Sequence, residues 1–437
     1  MTKKDKIFFS PVYLAVISLV TAVLWYFHLE EYGIPAFLAL MFVIFVFFED
    51  IMPAVPLLMN ALFMVSKTDL TFANIPVYLY MTPVVLILGI LIHVIRYKVK
   101  FFRGKMTLGI GVMFLAVLLS TFNAEEVNLN YVFYMVIGLL YVFIYFFFNN
   151  SMKGNHVDYL IRMMFILGIL VSVETLLFYI RSNDLINDLE NKTINLGWGI
   201  SNYIATYLIM FIPTTFYYAK KYKYGFLFLL VALFETAMML FTVSRGGITA
   251  YAVELVILLV YLFVRNKRWY ASFYTIIALI LGVLAAVYFR QDIFVAAFDR
   301  FGRLLFDDTG RLEIYADAWA KFKSHPLFGA GIFARTDVDG NFRMFHNTIL
   351  HVMATMGAIG LVGLVIQVVT MFLVVLKRWH SESVILAIAM FGAHLHGMVD
   401  NVYLMPQFMI LLFLIIAVME NANKCDPVIL ERRKVRA

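Results

Sequence analysis

The feature that most constrains this chain is a succession of continuous apolar segments, many of them about as long as a membrane is thick. We count fourteen, near positions 9–28, 34–48, 52–66, 76–95, 106–121, 130–148, 157–180, 202–219, 225–243, 247–264, 269–289, 347–376, 382–399 and 406–420. A helix needs about 20 residues to cross the hydrocarbon core. Only helices and closed barrels satisfy their backbone polar groups in lipid, and a barrel requires short alternating segments. The pattern therefore predicts an all-α polytopic membrane protein.

The composition agrees with this fold class. Hydrophobic residues make up 63% of the 437 positions and charged residues only 14%, and a mean hydropathy of +0.87 excludes a soluble globular protein. The segments 34–48 and 52–66 are short enough to form a broken or re-entrant pair, so we expect 12–14 transmembrane helices. The basic start resembles a signal peptide, but no small-residue cleavage pattern follows, and we interpret 9–28 as an uncleaved first span.

The basic residues alternate between successive connections, which predicts the orientation. With the N-terminus in the cytoplasm, the basic clusters fall on the inner side, at 96–105, 220–223, 265–268, 377–378 and 432–436. The alternate connections carry acidic pairs such as Glu30–Glu31 and Glu125–Glu126. This asymmetry follows the positive-inside rule. It predicts cytoplasmic termini, and it places the polar segments 181–202, 244–247, 290–346 and 400–405 outside. For the same reason, the net charge of +7 indicates topology rather than nucleic-acid binding.

One long polar segment, 290–346, divides the chain into three regions. We predict N-terminal transmembrane helices over 1–289, an extracytoplasmic catalytic loop over 290–346, and C-terminal transmembrane helices with a basic cytoplasmic tail over 347–437. Within the loop, apolar side chains recur at helical spacing after Arg311: Leu312, Tyr315, Trp319 and Phe322. They predict a short amphipathic helix along the membrane surface, with Glu313, Asp317 and Lys321 on its other side. The glycines Gly329 and Gly331 predict a flexible turn behind it.

Four arginines on the predicted outer side are candidate anion ligands. Three lie in or beside the long loop, Arg300, Arg303 and Arg311, and the fourth, Arg245, precedes Gly246–Gly247 at a span boundary. Guanidinium groups bind phosphate oxygens in a bidentate manner and stay charged. The alternatives are that Arg245 extends to the interface and that Arg300 and Arg303 pair with neighbouring aspartates.

His346, followed by Asn347 where the loop re-enters the membrane, is the candidate general base. A neutral imidazole there can take a proton from a hydroxyl group, although a histidine at a helix start also serves structural purposes. Farther along, His394 and His396 precede Asp400 and Asn401. Two histidines at i,i+2 do not share a helix face, so this pattern predicts a metal site only weakly. The one cysteine, Cys425, excludes an internal disulfide and a cysteine-based metal site.

Three carboxyl groups lie inside predicted spans: Glu174, Glu235 and Glu254. A carboxyl group within the membrane is a candidate functional site. Protonation or hydrogen bonding inside the helix bundle explains such residues equally well, and we expect this for at least two of them.

The order of these motifs resembles the O-antigen ligase and polymerase superfamily. The resemblance runs over about 195–365: an Asn/Gly-rich segment, 195–202; Ser244–Arg245–Gly246–Gly247; Gly310–Arg311, Trp319 and Pro326-x-x-Gly329-x-Gly331; His346–Asn347; and Gly357-x-x-Gly360. Each motif alone is weak, and the ordered set is more specific. The first 180 residues contribute only their hydropathy, and up to 14 spans exceeds the twelve usual in the family.

This resemblance implies a glycosyltransferase with a multi-span fold of the GT-C type, in the bacterial cytoplasmic membrane. It implies an undecaprenyl-pyrophosphate-linked glycan donor, a glycan acceptor, an active site on the outer face, inversion at the anomeric carbon, and neither metal nor other cofactor. Arg245 and Arg311 would bind the pyrophosphate with help from Arg303, and His346 would activate the acceptor hydroxyl. Further substrate-binding candidates are Arg300, Asn347, Trp319 and Asn202. The implied partners are the lipid bilayer and a chain-length regulator or flippase, not nucleic acid.

Four functions remain open from the sequence. A polymerase joins lipid-linked repeats to one another, and we favour it because no extra external domain for a protein acceptor is evident. A ligase moves the glycan to a different acceptor. A lipid-linked oligosaccharide flippase fits 14 spans, and a proton-coupled transporter would depend on Glu174, Glu235 or Glu254 rather than on His346.

Overall fold

The computed structural model describes residues 7–66, 77–264, 266–289, 291, 295, 310–336 and 342–425. Within these ranges the chain forms sixteen α-helices and no extended β-strand. They are α1 (Pro11–Tyr26), α2 (Glu30–Phe47), α3 (Val55–Phe63), α4 (Val77–Arg96), α5 (Thr107–Ser120), α6 (Leu129–Ser151), α7 (Val157–Arg181), α8 (Leu185–Asn191), α9 (Ser201–Lys221), α10 (Gly225–Phe241), α11 (Arg245–Phe263), α12 (Trp269–Phe289), α13 (Arg311–Ser324), α14 (Thr348–Leu376), α15 (Ser381–His396) and α16 (Pro406–Cys425).

These helices confirm the predicted fold class, an all-α polytopic membrane protein. Each of the fourteen apolar segments overlaps one α-helix, and α13 is the amphipathic helix that the sequence predicts from Arg311. Among the helices of the described residues, five are long and apolar enough to cross a membrane: α2, α7, α11, α14 and the Gln407–Cys425 part of α16. Further apolar helices are shorter, so the number of 12–14 spans stays a prediction.

Two compact units share the chain. Unit 1 comprises residues 1–98, 156–306 and 380–393, and unit 2 comprises 99–155, 307–379 and 394–437. In unit 1 the centre is α9, whose residues 204–219 are all buried. It packs against α7, α10 and α11, because a helix that is apolar on every side must be surrounded by other helices.

In unit 2 the buried helix is α16, which packs against α6 and α14. The longest helix, α14, lies against α5, and small residues allow this close approach. A Cβ atom added to Gly109 would lie 2.7 Å from the Gln367 side chain, and one added to Gly363 would lie 2.9 Å from Met113. Glycines at such contacts let membrane helices bring their backbones together.

The helix α14 is broken at Gly357, where the backbone adopts φ 64° and ψ −158°. A break in a membrane helix leaves backbone carbonyl and N–H groups that must find other partners. The segment 326–331 supplies them. Ala330 and Gly331 donate to the carbonyl oxygens of Ala354 and Thr355 at 2.8 and 3.1 Å, and the N–H groups beyond the break, Ala358 and Ile359, donate to Pro326 and Leu327.

This arrangement, which we call the backbone clamp (residues 326–331 on the break at Gly357), corrects the expectation of a flexible turn. Gly329 and Gly331 do adopt positive φ angles, of 72° and 93°, as turn glycines do. However, a Cβ atom on Gly329 would lie 2.3 Å from the Met356 nitrogen. The glycines therefore serve close backbone packing, and the clamp fixes the C-terminal side of α13 on α14.

A Gly357→Ala variant should lower the melting temperature of the purified protein. The added Cβ atom would lie 2.5 Å from the Leu327 carbonyl group, and a positive φ strains an L side chain, so we expect a loss of about 1–3 kcal/mol. The matched control is Gly111→Ala on α5, where the new methyl group meets no atom within 4 Å. Equal melting temperatures for both variants in detergent would contradict the clamp.

Candidate functional site

His346 lies between a buried anchor and a helix cap, and both restrict its backbone. The preceding residue, Phe345, is fully buried in an apolar cluster with Ala318, Ala330, Ala334 and Ala354. The following residue, Asn347, caps α14 by accepting a hydrogen bond from the Leu350 N–H group at 3.0 Å. His346 itself has φ 50°, a left-handed conformation that is uncommon for residues other than glycine. Strain of this kind persists where the surroundings fix the chain, and it clusters at functional sites.

The helix α13 covers this segment from one side. Gly310, with φ 69°, precedes its first residue, and Ile314 and Ala318 pack against the cluster around Phe345. The Tyr315 hydroxyl donates to the His346 carbonyl oxygen at 3.1 Å. Leu312 stays 68% exposed, so the apolar stripe of the helix is divided between the protein interior and the surface.

The His346 side chain faces a carboxylate. Its Nδ1 atom lies 3.2 Å from Oδ1 of Asp400, which is buried, whereas the imidazole is 39% exposed. Burial alone raises the pKa of Asp400. The hydrogen bond from His346, the nearby His396 and the Asn401 N–H group more than offset burial and lower that pKa to about 2. Asp400 lies between α15 and α16, outside the spans, and it is ionised at neutral pH.

The ionised carboxylate determines which tautomer His346 adopts. A carboxylate only accepts hydrogen bonds, so the proton of a neutral imidazole must reside on Nδ1. The lone pair is then on Nε2. In the part of the chain that the structure describes, Nε2 has no hydrogen-bond partner. The pair thus has the geometry of a histidine that is held by a carboxylate and is able to act as a base.

The turn that carries Asp400 is joined directly to the start of α14. The Thr348 N–H group donates to the Gly397 carbonyl oxygen at 2.8 Å. The Asn347 amide donates to the Met398 carbonyl oxygen at 2.6 Å. Asn347 therefore uses both ends of its amide, one for the helix cap and one for this turn, and it fixes the spacing between His346 and Asp400.

Arg311 is a cation near this site in unit 2. It is half-buried and lies one helical turn before Tyr315 on α13. Burial raises the pKa of the Tyr315 hydroxyl, while the Arg311 charge lowers it and the Asp400 charge raises it. The charges of Arg311 and Asp400 therefore both act on the Tyr315 hydroxyl. Among the described residues, no hydrogen bond or ion pair occupies the Arg311 guanidinium group.

Arg245 lies in unit 1, as the first residue of α11. The preceding Ser244 caps this helix by accepting from the Gly247 N–H group at 3.3 Å, and it also donates to Asn202 at 2.9 Å. Val243 is buried and has φ 50°, which is a marked outlier for a β-branched residue. The turn before Arg245 is therefore held in a strained conformation by its contacts.

The Asn/Gly-rich segment of unit 1 is a tight turn that is closed by a bridge between Asn195 and Ile200. A Cβ atom on Gly197 would lie 2.2 Å from the Ser66 carbonyl carbon, so only glycine fits. The Trp198 indole donates to Glu174 at 2.7 Å. Glu174 thus has a structural partner and anchors this turn in the bundle.

The remaining predicted residues are distributed as follows. Arg300 and Arg303 lie outside the described residues. Trp319 is 47% exposed, and its ring centroid lies 5.5 Å from that of Phe322. Glu235 accepts a hydrogen bond from Thr215 at 2.7 Å. Neither oxygen of the buried Glu254 is hydrogen-bonded within the described ranges.

The histidines of α15 do not form a recognisable metal centre. His394 contacts the Tyr403 hydroxyl at 2.8 Å through Nε2, and His396 is buried beside Asp400. No group of three or more His, Cys, Asp or Glu residues that could hold a metal ion occurs in the part of the chain described.

Sequence reasoning missed the principal partner of His346. Asp400 is 54 positions away, and the sequence singles it out only as part of a weak metal pattern. Its position could have indicated it, because Asp400 directly follows the outer end of the predicted span 382–399, on the same predicted side of the membrane as His346.

The depressed pKa of Asp400 makes protein stability depend on pH in acid. Its folded-state pKa is about 2 and its ordinary value is 3.8. The carboxylate therefore stabilises the fold above about pH 4, and this contribution, about 2 kcal/mol, is lost as the pH falls from 4 to 2. Asp400→Asn should lose less stability between pH 6 and pH 3 than the wild type, measured by melting in detergent. An equal loss of stability in Asp400→Asn and in the wild type would contradict the pairing of Asp400 with His346.

Comparison with known proteins shows a similarity over part of the chain. No curated protein matches this chain significantly. Residues 226–365 match the family model described as O-antigen ligase. The matched range runs from α10 into α14 and includes Arg245, Arg311 and His346, but neither Asn202 nor Asp400. The match confirms the resemblance to the O-antigen ligase and polymerase superfamily over residues 226–365.

Proposed function

We propose that this protein is a glycosyltransferase that polymerises undecaprenyl-pyrophosphate-linked oligosaccharide repeats into a surface polysaccharide. The observation that carries the proposal is the pair of His346 and Asp400, with a bound carboxylate on Nδ1 and an available lone pair on Nε2, near the cation Arg311. The O-antigen ligase domain supports the reaction class. The enzyme works on the outer face of the bacterial cytoplasmic membrane, with both termini in the cytoplasm, as the basic connections indicate.

The proposed reaction is a single displacement at the anomeric carbon. Nε2 of His346 takes the proton of the acceptor hydroxyl as its oxygen bonds to the anomeric carbon of the donor sugar. The bond from that carbon to the pyrophosphate oxygen breaks, and the lipid pyrophosphate leaves with the electron pair. Attack from the opposite side inverts the configuration. The imidazolium ion that forms is stabilised by the Asp400 carboxylate.

The leaving pyrophosphate needs its developing charge stabilised, and fixed arginines do this without a metal ion. Arg311 takes this role in unit 2. Arg245 takes the role that the resemblance implies, as a second ligand of the pyrophosphate, and Arg303 and Arg300 assist. Trp319 offers an exposed ring to the substrate. Asn347 contributes by positioning, since its amide joins the His346 segment to the Asp400 turn.

A ligase is the second candidate function. The description of the matched family, O-antigen ligase, favours it. A ligase would use the same base and the same arginines but would transfer the glycan to a different acceptor. The two functions differ in their products, because only a polymerase makes chains of several repeats from the donor alone.

His346→Ala should lower the turnover number by about 10²–10⁴-fold, because general base catalysis contributes about that factor. The assay uses purified protein in liposomes with lipid-linked repeats from a strain that lacks this protein. The matched control is His380→Ala, at an exposed histidine, which should keep wild-type turnover. Adding Asp400→Asn to His346→Ala should cause little further loss, since Asp400 acts through His346. A large additional loss would contradict this division of roles.

Arg311→Ala should reduce kcat by at least about 10²-fold, because the charge on the leaving group is then less stabilised. Arg311→Lys keeps the charge but loses the bidentate geometry, so we expect activity between those of Arg311→Ala and the wild type. The same liposome assay measures both variants. An alanine variant with wild-type kcat would exclude Arg311 from the leaving-group site.

A further inference from the structure

Lys192, which the sequence did not single out, is linked through a shared hydrogen-bond acceptor to the turn before Arg245. The Lys192 Nζ atom donates to the Asn202 side-chain oxygen at 2.6 Å. The Ser244 hydroxyl donates to the same oxygen at 2.9 Å. Ser244 directly precedes Arg245 in the chain. One amide oxygen thus joins the ammonium group of Lys192 to the turn that presents the Arg245 guanidinium group, all within unit 1.

The backbone of Lys192 is unusual. It follows the last residue of α8 with φ 56° and ψ 46°, and its N–H group donates to the Asp188 carbonyl oxygen. This left-handed position after a helix is usually occupied by glycine, which adopts it without strain. A lysine here accepts that strain and places a long cationic side chain where glycine would place none.

The groups that hold Lys192 are themselves rigidly supported. Asn202 lies in the first turn of α9, the buried central helix of unit 1. The neighbouring Ser201 hydroxyl donates to the Thr242 carbonyl oxygen at 2.5 Å, which fixes this turn of α9 to the strained segment before Arg245. A cation on such a support is preorganised, so little side-chain entropy is lost when it binds an anion.

Two acidic residues of the same segment, Asp184 and Asp188, form hydrogen bonds that build its fold. Asp184 caps α8 by accepting from the Asn187 N–H group at 3.0 Å. Asp188 accepts from the hydroxyl groups of Ser182 and Thr193. The Asn202 side chain is a neutral amide, and its oxygen orients the Lys192 ammonium group.

We propose that Lys192 binds a phosphoryl oxygen of the lipid-linked pyrophosphate alongside Arg245, and that Asn202 is the residue that positions both. This inference rests on the proposed function and deepens it. Lysine acts as a compact point charge on phosphates, and arginine supplies planar bidentate contacts, so the two side chains complement each other on a diphosphate. Asn202 then acts as a positioning residue, because its oxygen orients both the Lys192 ammonium group and the turn before Arg245.

The test measures binding of undecaprenyl pyrophosphate to the purified full-length protein in detergent, by native mass spectrometry. Lys192→Gln keeps a hydrogen-bond donor for Asn202, on a side chain one atom shorter, and removes the charge. We expect its dissociation constant to rise about tenfold or more, because hydrogen bonds to charged groups are worth that much. Lys192→Arg should stay within about threefold of the wild type, because the cation is kept.

The matched control is Arg181→Gln, at another cation bordering the same polar segment. Arg181 stacks 3.6 Å from the Tyr26 ring centroid and donates to the Tyr26 carbonyl oxygen, so it is committed to structure. Its loss should leave lipid affinity unchanged. A Lys192→Gln protein that binds as tightly as the wild type, or an equal loss in Arg181→Gln, would overturn the role of Lys192.

The same measurement separates this inference from the proposed function. A wild-type protein that binds no undecaprenyl pyrophosphate would remove the basis of both. A wild-type protein that binds it, with Lys192→Gln unaffected, would remove only the role of Lys192. Weaker binding in Lys192→Gln at an unchanged melting temperature would support the role of the charge. If Lys192 had only a structural role, the glutamine amide would donate the same hydrogen bond to Asn202, and binding would not change.

Discussion

The need to satisfy every backbone polar group of a membrane helix organises the candidate site. The break of α14 at Gly357 opens carbonyl and N–H groups that lipid cannot hydrogen-bond. The segment 326–331 fills these positions with its own backbone. Because that segment directly follows α13, the requirement also fixes the helix that carries Arg311. The position of the 326–331 segment, outside the spans, is therefore set by the unpaired backbone groups at the break in α14.

The catalytic geometry that we propose follows from this support. The inner face of α13 covers Phe345, and Tyr315 binds the His346 carbonyl oxygen. From the other direction, the start of α14 is joined to the turn that carries Asp400. His346 is therefore held from both sides in a conformation that its backbone would otherwise avoid. Strain of this kind is compatible with a preorganised base, whose side chain need not search for its position before proton transfer.

The sequence predicts the helices well and the site only in part. Long apolar segments and the spacing after Arg311 locate the helices because hydrophobic periodicity is a local property. His346 and Arg311 are recognisable because their residue types suit the chemistry. Asp400 and Lys192 cannot be recognised in this way, because their roles depend on contacts with His346 and Asn202 that exist only in the folded protein. The clamp is missed for a related reason: glycines suggest flexibility until their close packing partners are known.

The most direct test of the account is the product made by purified protein in liposomes from lipid-linked repeats alone, with EDTA present and no other acceptor added. A metal-independent polymerase should give chains of several repeats with inverted linkages, analysed by mass spectrometry and NMR spectroscopy. Retained anomeric configuration, or a requirement for a divalent cation, would contradict the proposed mechanism. If the glycan is transferred only when a different acceptor is supplied, the protein is a ligase and not a polymerase.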